Sequence, residues 1–230
     1  MKGGFIMKLT PEALDFLFEN KIKDSRAWYN EHKADYKRLV VEPFREFVVN
    51  MQPYIDKIDP NLSCNPKRIS RIYRDTRFTK DKHLYRDHVW YGFMHSKELY
   101  EGLPCFFFEF SPEGIDYGCG YYKASSESME AIRTLVLKHD KSFEAMKKAF
   151  KKRPKLVLSG NPYKRNHFPD ADEKDLPWLN IRDFCAIAYT QEFDLLFSES
   201  DVLAAEIGKR FLDMKPIYDF LMKAESTVER

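Results

Sequence analysis

The stretch CFFFEFSPEGIDYGCGYY, residues 105–122, reads as two strands and the turn between them. Side chains alternate along an extended chain, so Phe106, Phe108 and Phe110 share one face, and Cys105, Phe107 and Glu109 the other. Ser111-Pro112-Glu113-Gly114 places Ser, Pro and Gly at positions i, i+1 and i+3 of a type I turn, where each is favoured. The two runs, 105–110 and 115–122, therefore form a hairpin. Gly118-Cys119-Gly120 in the second run reads as a flexed strand or a bulge rather than as the setting of a thiol nucleophile.

Further β-like runs lie at 68–75, 89–94 and 184–190. Helical patterns surround them. Thr10 reads as a cap and Pro11 as the first helical residue, with Leu9 stapled onto Leu14, and Leu14, Leu17 and Phe18 facing inward. A second helix starts at Asp24 or Ser25 and carries Trp28, His32, Tyr36 and Leu39 on one face. Pro43 bends or restarts it toward Phe44, Phe47, Val48 and Met51, and Pro53 and Pro60 mark a loop. Ser126-Glu127 opens a helix with Met129, Ile132, Leu135 and Val136 at helical spacing. Asp140 caps the next, which carries Phe143, Met146 and Phe150, ends in a lysine cluster at 147–152 with Arg153, and stops at Pro154. Residues 160–177 read as a long loop, and 199–223 as a last helical region weakened at Gly208 and Pro216.

Helices, then a strand meander, then helices, a strand and a final helix do not make the alternation of a parallel sheet. The order predicts an α+β fold: an antiparallel sheet of about five strands packed against N-terminal, central and C-terminal helices. The 230 residues, 43% hydrophobic and 15% aromatic, fit one domain over 1–230, with residues 1–8 read as a disordered or non-native start and Met1 or Met7 as its beginning. No run is long and apolar enough to span a membrane, and 1–10 has no signal-peptide character, so a cytoplasmic protein without membrane partners is expected. The four cysteines are far apart and the histidines show no ligand spacing, so no metal site or disulfide framework is assigned; His83 and His88, beside the basic stretch, are the histidines worth testing. Nucleotide-loop, dinucleotide and hydrolase-elbow motifs are absent, and no cofactor is assigned.

The formal charge is only +2, but residues 64–90 hold eight Lys and Arg against three Asp, a local +5 that leaves the remainder at −3. Within it, Arg71-Ile-Tyr-Arg74-Asp75-Thr-Arg77-Phe78-Thr-Lys80-Asp81-Lys82-His-Leu-Tyr85 breaks the alternation of a half-buried strand. Such violations gather at functional or strained sites. This stretch resembles the signature R-x-x-R-D-x-R-F-x-x-D/N-K-x-x-Y of the bacterial family catalogued as domain of unknown function 2461. Arg71, Arg74, Asp75, Arg77, Phe78, Asp81, Lys82 and Tyr85 match it in turn. Trp28-Tyr29, the region 106–122, Ile132-Arg133 and Pro162-Tyr163 also look like family landmarks. The chain departs from the family at Tyr29, Leu84 and Gly160, where Phe, Pro and a shifted Pro-Lys-Gly-Tyr are common. The family has no established activity, substrate or cofactor, so the resemblance implies a fold unit and a site rather than a chemistry.

Guanidinium forks grip phosphate or carboxylate oxygens bidentately, and a lysine adds a point charge. Arg71, Arg74, Arg77 and Lys82, with Tyr85, are therefore read as contacts to a phosphorylated or otherwise anionic ligand, a small molecule or nucleic acid. Asp75, Phe78 and Asp81 would support the motif. A metal-assisted phosphoester hydrolase with Asp75, Glu109 or Asp81 as catalytic groups is one alternative, with Asp116 a further partner for Glu109. The other is a structural or interaction protein whose arginines only form ion pairs. Glu109 is expected either to have a cationic partner or to lie at a water-exposed edge.

Overall fold

The computed structural model describes residues 7–77, 79–95, 102–153 and 155–228. Phe106, Phe108 and Phe110 are wholly buried along β2 (Cys105–Ser111), which pairs antiparallel with β1 (Val89–Phe93) and with β3 (Gly114–Gly120). Ser111 pairs with Gly114, so Pro112 and Glu113 alone make the hairpin turn. β5 (Cys185–Thr190) joins the far side of β3, and β4 (Leu156–Ser159) closes the edge, giving a five-stranded antiparallel sheet in the order β1-β2-β3-β5-β4. Together with the helices it is an α+β fold.

Helices cover one face of the sheet. α1 (Pro11–Lys23), α2 (Arg26–Tyr36), α3 (Glu42–Asn50) and α4 (Gln52–Ile58) come first; α5 (Ser126–Leu137), α6 (Lys141–Lys152) and the single turn α7 (Leu176–Leu179) lie between β3 and β5. The turn α8 (Phe193–Leu196) and the long α9 (Ser200–Glu225) end the chain. α3 brings Phe47 to 4.6 Å and Phe44 to 6.0 Å from the Phe108 ring, and α9 brings Phe211 to 4.8 Å from Phe106. Edge-to-face and tilted ring contacts of this kind add to the area they bury. Among the described residues the other face of the sheet carries no helix. Its rows run Trp90, Glu109, Asp116, Tyr189 and Gly92, Phe107, Gly118, Ile187 in direct register. An antiparallel sheet can leave one face to water, and its side chains then decide what it meets.

Several local expectations are corrected. No strand forms over 68–75: Pro66–Arg68 is a 3-10 turn, and the chain then follows β1 irregularly, with Ser70 N–H donating to Trp90 O and Ser70 Oγ accepting from Trp90 N–H. Only Ile72 is buried there, too little apolar surface to seat a regular strand. Pro53 sits in the first turn of α4 rather than in a loop, where its missing N–H costs nothing. Thr10 makes no side-chain cap; its carbonyl accepts Ala13 N–H instead. Phe18 is exposed while Phe16 is buried.

A π-helical turn, Lys37–Val41, absorbs Pro43 without a break. Gly118-Cys119-Gly120 is regular strand with no bulge. α9 runs unbroken through Gly208 and Pro216, because the Tyr54 ring lies against the bare Gly208 backbone and tertiary packing outweighs propensity. Strand β4 went unread, being only four residues long. Residues 1–6, Pro154 and Phe78 lie outside the described residues, so the expectations placed on them find no counterpart here.

Arg133 explains two of the landmarks. Buried on α5, it donates to Leu179 O at 3.1 Å, Ile181 O at 2.7 Å and Tyr163 Oη at 3.3 Å, and pairs with Glu130 at 2.7 Å. It thereby satisfies carbonyls that helix and strand hydrogen bonds leave open. Arg133→Met keeps the stem but strands those carbonyls, and thermal denaturation is expected to register a loss of roughly 2–4 kcal/mol.

Candidate functional site

The motif builds a closed loop. Tyr73 and Tyr85 form an isolated antiparallel bridge, and Arg74 N–H donates to Leu84 O at 2.8 Å while Arg86 N–H donates to Ile72 O at 2.9 Å, so residues 74–84 leave and return at one point. Charges hold the interior. Arg77 grips Asp75 through Nη2 at 2.7 Å and Nε at 3.0 Å, Arg74 pairs with Asp81, and Lys82 Nζ donates to Thr76 O at 2.9 Å. The Arg77 guanidinium and backbone N–H hold the Asp75 carboxyl down to about 2. Asp81 also lies below its usual range, chiefly through Arg74.

The loop is clamped from outside by α1 and α2. Asp24, at the left-handed C-terminal cap of α1 (φ 43°), accepts Leu84 N–H at 2.7 Å, and Lys21 pairs with Asp87 at 2.5 Å. The Tyr29 ring packs 5.3 Å from Tyr73 and 5.2 Å from Tyr85. Tyr85 is wholly buried in this stack, and Arg71 is exposed. Neither Arg71 nor Arg86 has a carboxylate partner among the described residues.

Between this loop and the open face of the sheet lies a cavity of about 760 Å³. Arg74, Asp75, Asp81, Arg86 and His88 form its charged wall; Trp90, Phe107 and Ile187 give an apolar floor, and Glu109 stands in that floor. A second depression of about 580 Å³, lined by Arg71, Arg77 and Thr76, lies on the loop's other side, and Arg74, Arg86 and Trp90 border both.

Phe107 lies over the bare backbone of Gly118. An aromatic ring covering a cross-strand glycine is a recurrent way of filling the gap that glycine leaves. The thiols of Cys105 and Cys185, at the cavity's far end, are pushed up to about 12 by burial, which leaves them protonated and poor nucleophiles.

Glu109 does not have the ion-pair partner expected for it. It is half-buried, directly opposite Asp116 on β3, and neither carboxyl makes a hydrogen bond or ion pair among the described residues. Burial raises Glu109, with Asp116 adding repulsion and His88 and Arg86 opposing it; burial also raises Asp116, helped by Glu113. A carboxyl raised in the folded state favours folding below its unfolded pKa and loses that contribution as pH rises through the folded value. Asp116→Asn is therefore expected to raise the melting temperature at pH 7.5 by about 2–4 °C and to leave it unchanged at pH 4, in paired thermal melts.

Asp75, Asp81 and Glu109 all line the cavity, but the first two are engaged by arginines. Among the described residues no group of three or more His, Cys, Asp or Glu side chains is arranged to hold a metal ion. His83 faces Asp24 at 3.5 Å and His88 faces Asp87 at 3.2 Å. Sequence reasoning counted Arg86 in the basic stretch without assigning it to the site, and it missed Trp90 altogether. The signal for both was position: each follows the closing bridge of the loop, on the approach to or within β1.

A sheet covered by helices on one side, with a charged loop folded over its open side to enclose a mixed apolar and cationic cavity, defines an α+β protein with a ligand-sized pocket. No helix among the described residues is long and apolar enough to cross a membrane. The chain belongs to the family of conserved hypothetical proteins DUF2461, whose sequence profile matches residues 12–220. No curated protein matches it.

Proposed function

We propose that this chain binds a phosphorylated small molecule in the cavity between the 74–84 loop and the open sheet face. The observation that carries the reading is Arg86: a half-buried guanidinium in the cavity wall with no carboxylate partner among the described residues. A guanidinium in a partly desolvated wall that is not tied up in an ion pair favours an anion supplied from outside. Arg74 stands beside it, oriented by Asp81, and Arg71 serves the second depression. The pairs Arg77 with Asp75 and Arg74 with Asp81, the Lys82 tether and the Tyr85 stack support the reading as scaffold, holding the loop in the shape that presents Arg86. Glu109 is reserved for the part of the ligand that is not phosphate.

The reading is tested by thermal shift with inorganic pyrophosphate and with a panel of phosphorylated metabolites at low and high salt. Stabilisation that fades with salt is expected for the wild type and none for Arg86→Ala. A wild-type protein indifferent to every phosphorylated compound would overturn it.

A further inference from the structure

The cavity has a cationic wall and an apolar floor, and the proposed anion accounts for only the wall. In the floor, Glu109 stands beside the Trp90 and Phe107 side chains, with Phe107 lying over Gly118. Flat aromatic surface suits the π-face of a planar ring. A carboxylate beside that surface, without an internal partner, suits N–H groups at the ring's edge.

We infer that the ligand is a nucleoside 5′-phosphate, its phosphate against Arg74 and Arg86 and its base lying on Trp90 and Phe107 with an edge N–H donated to Glu109. The inference rests on the proposed anion site and adds what is recognised beside it. Asp116 works through Glu109. It faces Glu109 across the β2 and β3 ladder and disfavours a second bare negative charge there, a cost that an N–H donor on the ligand would offset. The groups facing Glu109 are His88 and Arg86 on the approach to β1, Asp87 held by Lys21 of α1, and Asp116 of β3, itself beside Glu113. Free nucleotide is favoured over a nucleic-acid strand because the cavity, about 760 Å³, has the size of a single small-ligand site, while the other basic run, nine Lys and Arg against one Glu over 141–165, lies outside its lining.

Titration calorimetry would compare inorganic phosphate, ribose 5-phosphate, the four ribonucleoside 5′-monophosphates and single-stranded oligonucleotides against the intact protein. At least one nucleotide is expected to bind about tenfold or more tightly than ribose 5-phosphate. Glu109→Leu should erase that advantage without weakening ribose 5-phosphate, since it removes a negative charge that Arg86 faces. Glu109→Gln, which keeps an acceptor but no charge, should erase part of it and provides the test if the leucine variant does not fold.

Equal binding of ribose 5-phosphate and every nucleotide would overturn the base-binding inference and leave the anion site standing. A nucleotide advantage that survives both variants would remove Glu109 from recognition and overturn it too. Affinity climbing with oligonucleotide length would overturn it in favour of a strand. Binding of none of these compounds would overturn both readings.

Discussion

Arg86→Ala is expected to lower affinity for pyrophosphate by roughly 30-fold to 1000-fold while shifting the melting temperature little. The guanidinium carries no ion pair among the described residues, so its removal breaks none, and Glu109 loses only one of the positive charges that oppose its burial. The bond that closes the loop, Arg86 N–H to Ile72 O at 2.9 Å, is made by the backbone and survives the substitution. What disappears is a charged donor facing the cavity, and truncating such a contact costs about 2–4 kcal/mol of binding. Arg74→Ala makes the contrast. It leaves Asp81 unpaired and loosens the loop, so stability and affinity should fall together. Calorimetry alongside thermal melts separates the two, and an Arg86→Ala protein that binds as the wild type does would move the anion elsewhere.

Gly118→Val is expected to be the most damaging single change on the open face. A Cβ at that position would overlap the Ala186 carbonyl oxygen and the Phe107 ring together. The ring could swing aside, but the carbonyl belongs to the β5 strand paired with β3, and moving it disrupts the Gly118 to Ile187 register. Overpacking against backbone at the centre of a sheet costs about 3 kcal/mol or more. Chemical denaturation should show that loss. Gly118→Ala should show a smaller one, since it brings the same first atom without the branches.

Much of the fold was legible because the residues that make it act locally. The Phe106, Phe108, Phe110 alternation, the Ser111 to Gly114 turn, the Ser126-Glu127 helix start and the Asp140 cap each depend on neighbours in sequence, and the structure bears out the hairpin and both helix starts. Where distant contacts decide, reading failed. The 68–75 run looked extended, yet a strand needs a partner edge and β1 bonds it only at Ser70. The site divides in the same way. Arginine spacing drew the eye to 71–86, but the pairing of Arg74 with Asp81 and Arg77 with Asp75, and the absence of a partner for Arg86, are facts of three dimensions. Glu109 was legible as an oddity among phenylalanines. Asp116 was already one of the partners weighed for it, but its place beneath the motif loop was not legible, because the loop's fold over the open face depends on α1.

Asp24 serves two masters. Its left-handed backbone ends α1, and its side chain holds Leu84 N–H, so the helix stop and the pocket wall share one residue. Glycine would suit the first task better, having no Cβ to strain at positive φ, but it could not perform the second. Selection for a tighter helix end and selection for an ordered pocket therefore pull this position toward different side chains. An aspartate kept at mild conformational cost is the mark of the second winning.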